Sequence, residues 1–350
     1  MKGCIFSFTK QGTILNGQLV TFLQRQGWHV VGNGYEKYIT SPATVTPMTQ
    51  PLTAEVRTAF QTRQCLIFIG AAGIAVRAIA PYIKSKVTDP AVIVIDEKGQ
   101  FVIPLLSGHI GGANAIAKEL AAFLGAEPVL TTATDVNHLF AVDAFAAQQG
   151  LCITSMADAK AFAATILETK QAGLYSDFPV EGTLPPSLRK ASTGVVGVAV
   201  ALRDDCRPFQ QTVTLQPRIF HIGIGCRAGI HADAVEDAVT VALDMAAVLP
   251  SAIRAVHSID IKAHEAGIIA YCTRHGLPYT TYNVETLNAL PGYFTASSFV
   301  RRTVGVDNVC ERAAVAGSQG GTILLRKQAV HGVTVAIAYE PYTVSFTEKE

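Results

Sequence analysis

The segment from Ser107 to Asn114, Ser-Gly-His-Ile-Gly-Gly-Ala-Asn, combines a hydroxyl, an imidazole, an amide and three glycines. His109 can act as a base near neutral pH, and the N–H groups of Gly111 and Gly112 can stabilise an oxyanion. A helix capped by Ser107 with an exposed histidine is the alternative, but a cap does not need so many glycines. We therefore favour a functional turn. G-x-S-x-G is absent, which argues against Ser107 as a covalent nucleophile.

A second glycine turn runs from Gly70 to Gly73 and is followed by Arg77. Glycines let the backbone approach a ligand closely, and an arginine can bind a carboxylate through two parallel hydrogen bonds. A tight strand-to-helix turn with a surface arginine explains the same pattern about equally well. Both interpretations stay open on the residues alone.

A third turn, residues 223–228, has the form G-x-G-x-x-A of a relaxed dinucleotide-binding fingerprint. The acidic residue expected about 20 positions further on would be Asp244, but it falls inside a predicted helix. Arg227 within the turn indicates a carboxylate ligand instead. Cys226 could be reactive at a helix N-terminus, where the pKa of a thiol falls, although small buried cysteines are commoner.

Isolated acidic residues are weaker candidates. Asp135 follows a predicted strand and could be a base or a helix cap, of which the cap is commoner. Glu311 could line a cleft, but a solvated helix face is the default. His264 is followed by glutamate, yet Ile268 stands where H-E-x-x-H requires its second histidine, so no metalloprotease site is predicted.

Composition limits the possible partners and locations. The 350 residues carry a net charge of +1, with 49% hydrophobic and 16% charged residues, so a sizeable core is predicted and a broad attraction to nucleic acid or membranes is not. We expect neither a signal peptide nor a transmembrane segment. Seven scattered cysteines without C-x-x-C fit the reducing cytoplasm and predict neither disulfides nor a metal site.

Apolar strands, glycine turns and amphipathic helices alternate along the chain. The predicted elements include strands at 65–69 and 128–132, helices at 74–83 and 113–124, and a closing strand pair at 322–328 and 333–339. This pattern predicts an α/β protein of three regions, with mainly parallel, Rossmann-like sheets in its N-terminal and C-terminal domains. The expected divisions are an N-terminal α/β domain at 1–126, a middle α/β region at 127–216 and a C-terminal α/β domain at 217–350. Ligands of such sheets bind at the carboxyl ends of the strands, which is where the three glycine turns lie.

Several long strings resemble signatures of the cobalt-precorrin-5A hydrolase (CbiG) family, in one order along the chain. The main ones are GAAGIAVR at 70–77, LLSGHIGGAN at 105–114, TTATD at 131–135, GIGCR at 223–227 and SIDIK at 258–262. The resemblance is weakest over about residues 140–215. It implies an enzyme of anaerobic cobalamin biosynthesis that opens the δ-lactone of a cobalt corrinoid, after which a two-carbon fragment leaves as acetaldehyde. Cobalt would arrive with the substrate, so no cofactor is expected.

On this resemblance, His109 is the hypothetical base, with Ser107, Asp135 or Glu311 as further catalytic candidates; His109 could instead ligate the cobalt or bind a propionate. The expected substrate-binding residues are Gly70, Gly73, Arg77, Gly108, Gly111, Gly112, Asn114, Gly225, Cys226, Arg227 and Ser298. Arg77 and Arg227 would hold carboxylates. Expected partners are the corrinoid and neighbouring pathway methyltransferases, with a homo-oligomer also allowed.

Two other functions use the same features. A corrinoid carrier that does no chemistry would have the same turns and arginines, and turnover separates it from the hydrolase. A nicotinamide-dependent oxidoreductase would use the turn at 223–228, but it lacks the acidic residue in the right place. Both alternatives rank below the hydrolase.

Overall fold

The computed structural model describes residues 1–39, 42–85, 88–109 and 111–347. The chain forms two compact units, Met1–Ala147 and Gln148–Glu350, and the three-region division stays a prediction. Ile110 of the predicted turn, and residues 348–350 at the end of the predicted C-terminal domain, lie outside the described residues. Within the described ranges no helix is long and apolar enough to cross a bilayer.

The first unit is an α/β sheet structure. Its strands are β1 (Lys2–Ser7), β2 (His29–Gly34), β3 (Val45–Pro47), β4 (Cys65–Ile69), β5 (Ala91–Ile95), β6 (Phe101–Leu106) and β7 (Glu127–Pro128). Its helices are α1 (Lys10–Arg25), α2 (Leu52–Thr62), α3 (Ala72–Ile79), α4 (Ala113–Leu124), α5 (Ala133–Val136) and α6 (Val142–Gln149), which ends just past the unit. The sheet order is β3-β2-β1-β4-β5-β6-β7, and only the β5–β6 pair is antiparallel.

Helices cover both faces of this sheet because its central strands are apolar throughout. Successive strand side chains point to opposite faces, so Ile5 packs with Leu19 of α1 and Leu120 of α4. On the other face, Phe6 stacks on Phe68 with ring centroids 5.3 Å apart. The sheet and the helices on its two faces form a three-layer core, and the loops at the strand ends lie outside this core.

The second unit contains two five-stranded sheets. The first includes β8 (Leu151–Ile153), β9 (Ala172–Ser176), β11 (Leu188–Lys190), β12 (Val196–Val200) and β13 (Gln211–Pro217), with helix α7 (Met156–Thr169). Its order is β11-β9-β12-β13-β8, and only the β13–β8 pair is antiparallel. A separate short pair joins β10 (Val180–Gly182) to β19 (Val344–Phe346).

The other sheet of this unit has the order β16-β15-β14-β18-β17. Its strands are β14 (Phe220–Cys226), β15 (Ile253–Ile259), β16 (Tyr279–Tyr282), β17 (Thr322–Val330) and β18 (Val333–Tyr339). The helices are α8 (Ala232–Ala246), α9 (Ala266–His275), α10 (Val284–Ala289), α11 (Ser298–Val304) and α12 (Cys310–Gly317). Strands β14, β15 and β16 are parallel, and β17 and β18 form the antiparallel hairpin that the sequence predicts.

The predicted α/β class is confirmed, and several predicted elements coincide with observed ones. The strand Cys65–Ile69 and the helix Ala113–Leu124 have the predicted bounds. The strand expected at 128–132 was wrong, because only Glu127–Pro128 pairs with β6. The helix expected at 74–83 begins at Ala72 and stops at Ile79, two residues before Pro81, which cannot donate a helical hydrogen bond.

A buried histidine pair connects two strands of the second unit. His221 Nδ1 lies 2.9 Å from His257 Nε2, and His221 Nε2 lies 3.3 Å from the Glu340 carboxylate, which also pairs with Arg254. Burial, together with His221, lowers the pKa of His257 to about 3. Burial also lowers the pKa of His221, although Glu340 opposes that effect. Both imidazoles are therefore neutral at neutral pH.

This pair should make the second unit less stable in mild acid. The unfolded chain binds protons below pH about 6.5, whereas folded His257 stays neutral down to about pH 3. The stabilising contribution of neutral His257 should thus be complete above pH 6.5 and should fall as the pH drops from about 6.5 to about 3. Calorimetric melting temperatures at pH 7 and pH 5 should differ less for His257→Gln than for the unchanged protein. Equal pH shifts in both proteins would contradict the assignment.

Candidate functional site

The turn between β6 and α4 closes tightly on itself. The Ser107 carbonyl accepts from the Ala113 N–H (3.2 Å) and the His109 carbonyl accepts from the Gly112 N–H (3.0 Å). Ser107 has a φ of 56°, and a Cβ at Gly111 would collide with the Ser107 side chain. The turn therefore requires its glycines. The Gly112 N–H is already used inside the turn, so of the two predicted oxyanion donors only Gly111 stays a candidate.

Asn114, in the first turn of α4, connects this turn to the next segment. Its side-chain amide donates to Asp135 Oδ2 (2.8 Å) and to Thr132 Oγ1 (3.1 Å). Its backbone N–H donates to the Gly108 carbonyl (2.9 Å), and a Cβ at Gly108 would collide with the Asn114 side chain. The glycine therefore lets the amide reach the carboxylate.

His109 lies between two carboxylates. Its Nε2 is 2.9 Å from Asp135 Oδ2, and its Nδ1 is 3.0 Å from Asp143 Oδ1. The three side chains are only 12%, 16% and 20% exposed, respectively. Lys118 Nζ approaches the other oxygen of Asp135 at 3.4 Å. We call His109, Asp135, Asp143, Asn114 and Lys118 the His109 cluster.

The charges of this cluster shift the pKa values of its members in opposite directions. The hydrogen bond to Asp143 raises the pKa of His109 most, and Asp135 adds to it against the effect of burial. Burial alone would raise the pKa of both aspartates, but their hydrogen bonds to His109 outweigh it and lower them. Because each ring nitrogen of His109 faces a carboxylate oxygen, this geometry favours the imidazolium, which donates from both nitrogens.

This arrangement stores one transferable proton between an imidazole and two carboxylates. An imidazolium can protonate a leaving oxygen, and the imidazole that remains can then act as a base. A base role, as predicted for His109, first requires loss of that proton and displacement of one carboxylate. Within the described residues, no group of three or more His, Cys, Asp or Glu side chains is arranged to hold a metal ion.

Two predicted catalytic residues are instead used by the fold. Ser107 is buried, and its hydroxyl donates to the Asp89 carbonyl (2.9 Å). Glu311 is fully buried on α12 and accepts from the Thr295 and Lys327 N–H groups, both at 2.9 Å. Burial would raise the pKa of Glu311, but these N–H donors outweigh it and lower the pKa. Neither group is placed as a free acid or base.

Asp135 does not cap a helix as the commoner interpretation expected. It is the third residue of the short helix α5, where its carboxylate binds His109. Asp143, at the second position of α6, was not predicted at all. Its only sequence signal is an acidic residue at a helix start, in the part of the chain with the weakest family resemblance.

The predicted turn at 70–73 shows no convergence of polar groups. Gly70 has a φ of 151°, and Gly73 lies exposed in the first turn of α3. Arg77 is exposed and donates to the Gly73 carbonyl of its own helix (3.3 Å). Ser298, at the start of α11, is also exposed. Their binding roles stay predictions.

Gly225, Cys226 and Arg227 line a single cavity of about 520 Å³ in the second unit. Burial raises the pKa of Cys226 to about 11, so its thiol stays protonated and the reactive-thiolate alternative has no support. Gly223 is buried inside β14, where a Cβ would collide with the Cys310 carbonyl of α12. This glycine serves helix packing, so the dinucleotide fingerprint is not supported.

Comparisons with known proteins find matches over most of the chain. Family models match at 54–135 (Cobalamin synthesis G N-terminal), 140–217 (Cobalamin biosynthesis central region) and 220–338 (Cobalamin synthesis G C-terminus). The cobalt-precorrin-5A hydrolase of Salmonella typhimurium is 37% identical over 297 residues, covering 81% of this chain and 84% of that protein. The enzyme of the same name from Priestia megaterium is 31% identical, covering 81% and 80%. A cobalamin biosynthesis protein G homolog from Sulfolobus solfataricus has a TM-score of 0.42 at 22% identity, covering 97% of both chains.

Replacing Asp143 with asparagine should lower the pKa of His109, because it removes the group that raises it most. Imidazole nitrogen chemical shifts, followed by NMR against pH, measure this pKa directly. Asp233→Asn is the matched control, since that side chain is 88% exposed in the second unit, and it should leave the His109 pKa unchanged. A His109 pKa at or below the ordinary value of about 6.5 in the unchanged protein would contradict the ion-pair assignment.

Proposed function

The chain belongs to the cobalt-precorrin-5A hydrolase family, and we propose that it hydrolyses the δ-lactone of cobalt-precorrin-5A at the His109 cluster. The family assignment rests on relatives of that name at 37% and 31% identity over most of the chain. The observation that supports this location is the imidazolium of His109 between Asp135 and Asp143. It offers a proton donor and carboxylate acceptors at one partly exposed point.

The two aspartates are held unequally, which indicates where substrate enters the cluster. Asp135 accepts from Asn114 and pairs with Lys118 as well as His109. Apart from His109, the donors to the Asp143 carboxylate in the described part of the chain are local backbone N–H groups, those of Ala144 and of Asp143 itself. We propose that a substrate oxygen displaces Asp143 from Nδ1, while Asp135 keeps the ring oriented through Nε2.

Lactone opening then needs one proton acceptor and one donor. The water oxygen bonds to the lactone carbonyl carbon as the displaced Asp143 carboxylate takes a proton from that water. The carbonyl electrons move to oxygen, where the predicted Gly111 N–H would stabilise the charge. Collapse of this intermediate breaks the ring C–O bond, and the leaving alkoxide takes the proton from His109 Nδ1. The products are a carboxylic acid and an alcohol.

Loss of acetaldehyde restores the cluster. Neutral His109 now accepts the hydroxyl proton, and the C–C bond breaks as the new C=O bond forms. The bonding electrons stay on the macrocycle, which takes a proton from Asp143. His109 is again an imidazolium and Asp143 a carboxylate, so the protons balance over the two steps.

The remaining assignments are proposals on the same basis. We propose that cobalt enters only as part of the substrate, because the proton transfers of both steps are assigned to His109 and Asp143. Arg77 and Arg227 are the proposed partners of the peripheral carboxylates, with Ser298 and the glycine turns as further substrate contacts. The proposed location is the cytoplasm, which the scattered cysteines favour. Contacts with pathway methyltransferases and a homo-oligomer stay predictions.

The purified protein should release acetaldehyde from cobalt-precorrin-5A under anaerobic conditions, and His109→Gln should slow this release by roughly 100-fold or more. Glutamine can form hydrogen bonds, but its amide cannot give up and regain a proton near neutral pH. A coupled assay for acetaldehyde gives the rate, with a control that contains no protein. His29→Gln, which changes an exposed histidine of β2, should keep full activity. Full turnover by His109→Gln would exclude the assignment of the cluster.

Chelation should not affect turnover if the protein supplies no metal of its own. After treatment with EDTA and desalting, the protein should release acetaldehyde at its original rate. Elemental analysis before substrate is added should find no stoichiometric metal. A loss of activity that a divalent cation restores would contradict the proposal.

A further inference from the structure

The second unit contains a cavity at the carboxyl ends of β14 and β15. Its volume is about 520 Å³, within the range of small-molecule sites. The walls come from the end of β14, the segment after β15, helix α11, the start of α12 and the β17–β18 hairpin. In parallel sheets this is the edge where ligands bind.

Every charged residue that lines this cavity is cationic: Arg227, Lys262 and Lys327. Lys262 pairs with Glu265 at 2.8 Å. Among the described residues, no carboxylate lies within 4.0 Å of the Arg227 guanidinium or the Lys327 ammonium. The cavity therefore has positive charge that the protein does not neutralise, which fits an anionic ligand.

The loops that carry Arg227 and Lys262 are held in place by the surrounding fold. Glu265, besides binding Lys262, accepts from the Gly229 and Ile230 N–H groups (2.8 and 3.1 Å) and so fixes the loop after Arg227. The Arg227 N–H donates to the Gly332 carbonyl (3.3 Å). Gly332 lacks a side chain where the Arg227 stem passes. A preorganised loop loses less conformational entropy when a ligand binds to it.

Buried Glu311 fixes two further walls. It accepts from the Lys327 N–H on β17 and from the Thr295 N–H just before α11. Asn308, which lines the cavity, donates to the Thr295 carbonyl (2.9 Å). The acidic residue predicted to be catalytic thus shapes this cavity.

Most of the other lining residues are apolar, and two large ones lie exposed at the mouth of the cavity. Ile261 and Phe299 line the cavity and are 61% and 70% exposed. Val300, Val304 and Val309 continue the surface inward. Large apolar side chains left exposed around a cationic pocket favour a ligand with a broad apolar body and acidic substituents.

We propose that this cavity binds one carboxylate-bearing edge of a tetrapyrrole through residues of the second unit alone. This inference rests on the proposed function, since it adds a recognition site for the same class of substrate. The recognised features are the carboxylates and the flat apolar ring, so binding needs neither cobalt nor the lactone. The opened product is therefore recognised at this site as well as the substrate.

Uroporphyrin, a metal-free tetrapyrrole with carboxylate side chains and no lactone, is the probe. Titrating the full chain while following porphyrin fluorescence should give saturable binding that weakens as salt is added. Arg227→Gln and Lys327→Gln should each raise Kd on the order of ten-fold, as expected for losing a charged hydrogen-bond donor. Lys190→Gln, an exposed lysine of β11, is the matched control and should bind like the unchanged protein. Circular dichroism confirms that each variant is folded.

His109→Gln separates the two sites. It should bind uroporphyrin with unchanged Kd even though its turnover is lost. Three results would overturn the inference. They are absence of saturable binding, Kd values of Arg227→Gln and Lys327→Gln equal to that of the unchanged protein, and loss of binding in His109→Gln. If the unchanged protein releases no acetaldehyde but binds uroporphyrin through Lys327, the proposed function fails and this site stands.

Discussion

The ion pairs that His109 makes with Asp135 and Asp143 are the interaction on which the site in the first unit depends. Two carboxylates this close would repel each other, and partial burial would make their charges more costly. The positive imidazolium between them offsets both the repulsion and the cost of burying the two negative charges. It can do so only because a tight turn carries it past the end of β6, and that turn needs Gly108 and Gly111 for its closest contacts.

In the second unit, acidic and basic side chains have different structural roles. Its acidic residues Glu265 and Glu311 accept backbone N–H groups and hold loops, while the basic groups of the cavity face the ligand space. The first unit places acids and an imidazole together to move protons. The two units thus differ in how they use charge: the first pairs an imidazole with two carboxylates, and the second leaves basic side chains in a cavity.

The sequence predicted the elements better than it predicted the contacts between them. Strand β4 and helix α4 were predicted with their observed bounds because an apolar run and a 3.6-residue period are local signals. His109 stood out because glycines surround it. Asp143 did not, since nothing local marks a carboxylate that meets a histidine 34 positions earlier in the chain. Glu311 looked like a solvated acid or a catalytic group, and only tertiary packing shows that N–H donors surround it.

The net charge of the His109 cluster explains how it could tolerate an acidic substrate. With His109 and Lys118 positive and both aspartates negative, the cluster is neutral. Loss of the imidazolium proton at high pH would leave a net negative charge, which opposes the approach of a polycarboxylate. Protonation of Asp143 at low pH would remove the acceptor for the water proton in the proposed lactone opening. The same ion pairs that raise the pKa of His109 and lower those of the aspartates widen the pH range between these two limits. Stability of the cluster and readiness for proton transfer therefore have one physical origin.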